Sequence, residues 1–205
     1  MLFLIVGLGN PGREYADSRH NVGFRCLDAL AERAGAVFRA DRSLEAAWGQ
    51  GRIGARQVLL LKPLTFMNLS GRAVAAACGR HALGLQELLA VHDDMDLELG
   101  RIQLRPGGGD GGHRGIRSLG AALGSLEFAR MRLGVGRPGG ARDAVDHVLG
   151  AFAPDEAPRL ADMLARASQA VEVFLAEGLT PAMNRFNPWR PDRTPDSPND
   201  GGTDA

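Results

Sequence analysis

The sequence predicts an α/β fold with a mixed, mostly parallel central sheet and helices on both faces. Three observations predict it. Short apolar runs alternate along the chain with longer segments of helical period. The runs at 2–7 and 88–94 are almost wholly apolar, as strands buried on both faces are. Residues 45–62 instead read as two strands joined at Gly54-Ala55-Arg56, a hairpin that makes the sheet mixed.

Each element has its own justification. Residues 2–7 are a buried strand. Residues 22–34 are a helix with Val22, Cys26, Leu27 and Leu30 on one face. Strands follow at 45–53 and 57–62. Residues 70–82 are an alanine-rich helix, with Asn68 or Ser70 as its N-cap. "LLAVHDD" (88–94) is an apolar strand ending in charge, and 99–105 is another strand. "PGGGDGGHRG" (106–115) is a loop with six glycines that opens a helix running to about residue 124. Residues 129–136 form a strand, and 143–149, 155–177 and 180–186 are helical. From Pro188 the composition turns to Pro, Asp, Gly, Ser and Asn, so 188–205 is expected to be a disordered tail.

A chain of 205 residues is most simply one domain with a sizeable core. "MLFLIV" is too short for a signal peptide and has no basic start, and no run could span a membrane. Cys26 and Cys78 show no metal or redox spacing and read as reduced core thiols of a cytoplasmic protein. A monomer is expected, because no exposed apolar helix face asks for a partner. Net charge is zero, but residues 101–142 hold eight arginines against Asp110 and Glu127, a net of +6. Residues 143–177 hold seven acids against Arg159 and Arg166, a net of −5. Arginines clustered beside a glycine loop suit phosphate binding; a solvated arginine surface is the alternative.

"LFLIVGLGNPGREY" (2–15) contains Gly7-x-Gly9-x-x-Gly12, the spacing of a dinucleotide-binding turn. The context is wrong for one. Pro11 removes an N–H from the loop, helical period begins only at Val22, and Glu32 lies late in that helix and not on a strand. The glycines are expected to turn the chain sharply and leave Asn10 at the mouth of the strand.

Polar residues gather where apolar elements end. Asn10 follows the first strand, and His20-Asn21 precedes the first helix. "KPLTFMNLSG" (62–71) carries Phe66, Met67 and Asn68, and "HDDMD" (92–96) follows the fourth strand. Ligands of α/β folds collect beyond the carboxyl ends of strands, so these stretches are candidates for one crevice. A histidine with a carboxylate suits general-base chemistry, and asparagine amides can position a carbonyl and a water. No serine or cysteine sits in a nucleophile signature, which favours water as the attacking group. Plainer roles stand beside each: a capping or surface His20, a turn-forming Asn10, a helix-capping Asn68, a loop-holding Asp93, a His113 that only pins the glycines. His92, Asp93, Asp94 and Asp96 are oxygen-rich enough to suggest Mg²⁺. Neighbouring residues of an extended segment point opposite ways, however, so Asp93 and Asp94 would not converge. No metal and no cofactor are expected.

Five stretches, "VGLGNPG…Y…RHNVGF" (6–24), "KPLTFMNLSGRAV" (62–74), "HDDMDLELG" (92–100), "GGGDGGHRGIRSL" (107–119) and "FARMRLGVGRP" (128–138), together resemble the bacterial-type peptidyl-tRNA hydrolases. "DAVDHVLGAF" (143–152) fits too, and the resemblance runs in order over about residues 1–187. It implies a single three-layer α/β/α domain that needs no cofactor and hydrolyses the ester between a peptide and the terminal ribose of tRNA. It implies that His20 activates water, that Asp93 sustains the basic form of His20, and that Asn10 helps tell a blocked aminoacyl group from a free one. Asn68 would hold substrate and the attacking water. Tyr15 and Phe66 would shape the crevice for peptide and terminal nucleoside, with Met67, His113 and Arg114 among the substrate contacts. Arg105 and Arg132 fall where the family holds tRNA phosphate, and helix 143–149 would gate the cleft.

One position departs. After "GGH" the family usually has Asn, and this chain has Arg114, a long donor-only cation that cannot replace an acceptor. It is expected either to point outward to a phosphate or to pair with Asp110, with activity retained and rate or binding altered. The rival readings are a non-catalytic RNA-binding relative of the same fold and a metal-dependent hydrolase built on the "HDDMD" acids.

Overall fold

The computed structural model describes residues 1–139 and 143–191. Its elements, in chain order, are β1 (Leu2–Gly7), α1 (Val22–Ala34), β2 (Arg39–Asp41), β3 (Ala46–Ile53), β4 (Arg56–Pro63), α2 (Ser70–His81), β5 (Leu88–Asp94), β6 (Ile102–Arg105), α3 (Arg114–Leu123), β7 (Ala129–Gly134), α4 (Ala144–Leu149), α5 (Ala157–Glu177) and α6 (Leu179–Phe186). The sheet order is β2-β3-β4-β1-β5-β7-β6. The central strands β4, β1, β5 and β7 are parallel neighbours. The antiparallel pairings are β2 with β3, β3 with β4 and β6 with β7, so only β3 and β6 run against the rest. The mixed, mostly parallel sheet is therefore present.

Alternation along the central strands divides the core in two. Phe3, Ile5, Val58, Leu60, Leu89 and Val91 face α1, α5 and α6. Leu4, Val6, Leu59, Leu61, Leu88 and Ala90 face α2 and α3. A strand with apolar side chains on both faces needs a helical layer on each, which gives three layers. Cys26 and Cys78 are free and buried, and burial pushes the Cys26 thiol up to about 12, as suits an inert core residue.

Three details differ from the sequence reading. The strand β2 was not anticipated: Arg39-Ala40-Asp41 is a short, mostly exposed edge with no apolar alternation. The strand expected at 99–105 begins only at Ile102, because Gly100 (φ 99°) turns the chain and Arg101 N–H donates back to Glu98 O. The α2 helix has neither Asn68 nor Ser70 as a side-chain cap; a 3-10 turn at Met67–Leu69 leads straight into it, and Gly71 N–H donates to Ser118 Oγ instead. Most of the tail expected at 188–205 lies outside the described residues. Of its first residues, Trp189 lies under the Arg166 guanidinium, 3.7 Å from ring centroid to Cζ.

The Gly-x-Gly-x-x-Gly stretch packs a helix against a strand. A Cβ on Gly7 would stand 2.4 Å from Gly23 O, and one on Gly23 would stand 2.5 Å from Leu8 O and 2.6 Å from Val91 O. The start of α1 thus lies against β1 and β5 with no room for a side chain at either glycine. Gly12 (φ 111°) is followed by a single 3-10 turn, not by the long helix a pyrophosphate site requires. Gly23→Ala is expected to lower stability by about 1–3 kcal/mol, the usual cost of overpacking, and to reduce activity as well, since His20 lies three residues upstream. Urea unfolding curves check the first effect; an unmoved midpoint would contradict it.

Candidate active site

A crevice of about 520 Å³ opens at the carboxyl edge of the parallel strands. That volume suits a small-molecule-sized group. Asn10, Tyr15, His20, Phe66, Met67, Asn68, Asp93, His113 and Arg114 all line it. Arg105 and Arg132, expected to meet tRNA phosphate, are not among its lining residues.

Asp93, near the end of β5, is 3% exposed. Its Oδ1 lies 2.7 Å from His20 Nδ1 and 3.0 Å from His113 Nε2. Burial alone would raise the carboxyl group's pKa; the charges and hydrogen bonds of His20 and His113 outweigh it and hold the group well below the usual carboxylate range. An ionised carboxylate only accepts, so both rings donate to it.

The tautomers follow from geometry. His113 is the N-cap of α3, and its Nδ1 accepts from Gly115 N–H (3.1 Å) and Ile116 N–H (3.2 Å). Its proton therefore sits on Nε2, facing Asp93, and its other nitrogen is committed to the helix. His20 carries its proton on Nδ1, which leaves Nε2 with a free lone pair. Of the two rings on Asp93, only His20 has a nitrogen able to take up a proton.

A third histidine closes the cluster. His92 is buried, its Nδ1 lies 2.8 Å from Asp93 O, and its ring packs edge-on to His113 with centroids 4.7 Å apart. Burial, reinforced by His113, pushes its pKa down to about 3. The ring is neutral and donates to the backbone of the residue whose carboxylate orients His20.

Asn10 is oriented as firmly. Its backbone N–H donates to Asn21 Oδ1 (2.8 Å), and Asn21 Nδ2 donates back to Asn10 O (2.9 Å). Its side-chain Oδ1 accepts from Met67 N–H at 2.9 Å. The amide orientation is thereby set, and Nδ2, with its two donors, has no hydrogen-bond partner among the described residues. The sequence reading gave Asn21 no role. Its position beside His20 was the available signal, but the reciprocal pair with Asn10 spans eleven residues and appears only in the fold. Asn68 is exposed and, free of capping duty, available to a ligand.

The turn that bears His20 is fixed from behind. Arg19 N–H donates to Gly150 O, Ser18 bridges to Ala151, and the Arg19 guanidinium meets Glu156 at 2.8 Å above the Phe152 ring. The α4 helix lines the crevice through Ala144, Val145, Val148 and Leu149. His147 holds it to the sheet edge, its Nε2 2.9 Å from Gly136 O.

The remaining acids of "HDDMD" do not converge. Asp94 pairs with Arg132 at 2.6 Å, and Asp96 with Arg137 at 2.6 Å. Arg132 also meets Gln103. The Mg²⁺ reading thus has no shared centre in these acids. His20, Asp93 and His113 do offer three ligand-type atoms within 4.8 Å of one another, but these same atoms are hydrogen-bonded together. Asp110 is also accounted for: it accepts from Gly112 N–H (2.7 Å) and from Arg117 Nε (2.9 Å). It does not pair with Arg114, one of the two alternatives raised for that residue.

The sequence matches the model of the family described as peptidyl-tRNA hydrolase over residues 4–195. The chain belongs to the peptidyl-tRNA hydrolase family. A peptidyl-tRNA hydrolase of Chloroflexus aurantiacus is 51% identical over 188 residues, 91% of this chain and 100% of that one. One of Mycobacterium marinum is 45% identical over 186 residues, 91% of this chain and 97% of that one. The crystal structure of peptidyl-tRNA hydrolase from Acinetobacter baumannii superposes with a TM-score of 0.87 at 36% identity, covering 93% of this chain and 96% of that one. The expected family and α/β architecture are thus both found.

The histidine–carboxylate cluster carries a pH signature. An unfolded chain protonates His92 near pH 6.5, whereas the folded ring resists until about pH 3. The unfolded state therefore binds more protons in that window, and stability falls as pH drops through it. Asp93, with its depressed pKa, adds a further loss below about pH 4. Urea midpoints measured between pH 7.5 and pH 4 are expected to decline, and less steeply in His92→Asn. A flat profile in the unmodified protein would contradict this.

Proposed function

We propose that the crevice hydrolyses the ester joining a peptide to the terminal ribose of tRNA, with His20 as the general base. The observation that carries it is the tautomer geometry: Asp93 fixes the Nδ1–H of His20 and leaves Nε2 as the basic atom at the crevice. A water there loses a proton to Nε2, and its oxygen attacks the ester carbonyl. The Asp93 carboxylate stabilises the imidazolium. Asn10 Nδ2 is the donor the chain holds ready for a carbonyl or oxyanion, and Asn68 supplies a second amide for substrate or water. As the tetrahedral intermediate collapses, the ribose oxygen leaves with the proton from Nε2. The products are a peptide acid and a tRNA with a free terminal hydroxyl.

The substrate contacts follow the same division. Tyr15, Phe66 and Met67 form an aromatic and apolar wall, and Phe66 is 57% exposed, available to a nucleoside or peptide face. Val145 and Leu149 of α4 add exposed apolar surface to the same crevice, suited to a gate that closes on the peptide. Arg105 is exposed and suited to tRNA phosphate; Arg132 would exchange Asp94 for a phosphate. We place the enzyme in the cytoplasm, where buried free thiols such as Cys26 and Cys78 stay reduced, and read it as a monomer.

N-acetyl-aminoacyl-tRNA is expected to be cleaved and the unblocked form spared, with no effect of EDTA. His20→Ala is expected to lower kcat by about 10²–10⁴-fold, the usual share of a positioned base, and Asp93→Asn to act similarly. Tight binding without cleavage would identify an RNA-binding relative. Loss of activity with EDTA would identify a metal enzyme.

A further inference from the structure

The charges of the crevice wall balance, with one exception. Every carboxylate on it already has a partner: Asp93 takes His20 and His113, Asp94 takes Arg132, Asp96 takes Arg137 and Asp110 takes Arg117. Arg114 is exposed, lines the same crevice and has no hydrogen-bond or ion-pair partner among the described residues. Asp110, the acid of the glycine loop that precedes it, is held by Arg117 and by Gly112 N–H. Among the described residues, then, the crevice carries one unpaired guanidinium, borne by the first residue of α3, directly after His113. An unpaired guanidinium of this kind suits an anion that can offer its planar fork at least two oxygens.

We propose that Arg114 holds the phosphodiester joining the last two nucleotides of the substrate's acceptor end. The assignment rests on the peptidyl-tRNA reading above. Two features favour this anion over an acidic side chain of the peptide. The phosphodiester is present in every substrate molecule and lies one nucleoside away from the scissile ester. Phe66 and Asn68 also line the crevice and offer a stacking face and an amide, so a base, its ribose and the adjoining phosphate would meet an aromatic ring, an amide and a guanidinium. Arg114 is thus a substrate-positioning residue; it gives and takes no proton in the reaction.

The test compares N-acetyl-aminoacyl-tRNA with the same N-acetyl-aminoacyl ester of adenosine, which carries no phosphate. In Arg114→Asn, kcat/KM on the tRNA substrate is expected to fall by about tenfold more than on the adenosine ester, mostly through KM. The dependence of log kcat/KM on log salt is expected to become shallower by about 0.7, one single-strand phosphate contact. Arg114→Lys should recover part of the loss. Equal losses on the two substrates, or no loss on either, would overturn the proposal. A loss confined to peptidyl-tRNAs with Glu rather than Gln at the esterified residue would also overturn it and assign the cation to the peptide. Binding of an uncharged acceptor-stem RNA, measured by fluorescence anisotropy, gives an independent readout, with weaker binding and a shallower salt slope expected in Arg114→Asn. Failure of the unmodified protein to cleave either ester while this RNA result holds would reject the hydrolase reading and leave the phosphate contact standing.

Discussion

The site depends on keeping one carboxylate ionised where water scarcely reaches it. A buried anion is costly unless donors surround it. Around Asp93 those donors are imidazoles, and the requirement decides their tautomers. His113 is doubly constrained, because the start of α3 takes its other nitrogen. His20 is constrained on one side only. That asymmetry turns a structural need, satisfying a buried charge, into a chemical capacity: one lone pair left at a crevice.

Close approach of backbone makes the arrangement possible. Asp93 lies on the central strand β5, and His20 is placed by α1, which sits on β1 and β5 through Gly7 and Gly23. His113 arrives on α3, and the first helical residues after it pack against Met67 and Leu8: a Cβ on Gly115 would meet Met67 Sδ at 2.5 Å. Met67 N–H in turn fixes Asn10. The layers of the domain therefore meet the crevice residues largely through small residues and backbone amides, which have no rotamers to lose.

Much of this was legible in the sequence, and the limits have physical causes. The strands β1, β4 and β5 were visible because burial on both faces leaves them little but apolar residues. The α1 and α5 helices were visible because each keeps an apolar stripe. The edge strand β2 has no such pattern, since an edge buries little. His20, Asp93 and Asn10 could be proposed from their places at element ends and from family resemblance. The second donor on Asp93 could not, because His113 is oriented by amides of the helix that follows it. Of the two alternatives open for Arg114, pairing with Asp110 is not the one found: the loop passes through Gly111 (φ 58°) and Gly112 (φ 79°), and Arg117 takes the carboxylate, a choice that spacing alone does not decide. Arg132 and Asp94 are 38 residues apart and meet only because β5 and β7 are neighbours in the sheet.

The reciprocal amide pair of Asn10 and Asn21 acts as a ruler. It sets the separation between the Asn10 loop and the turn that carries His20, and both of its hydrogen bonds are made within the chain itself. The entropy of assembling donor and base is lost when the chain folds, not when it meets substrate. On the proposed reading, an ester entering the crevice would meet donor and base already spaced, and indifference to the peptide's sequence would then be a property of the architecture, not of any one contact.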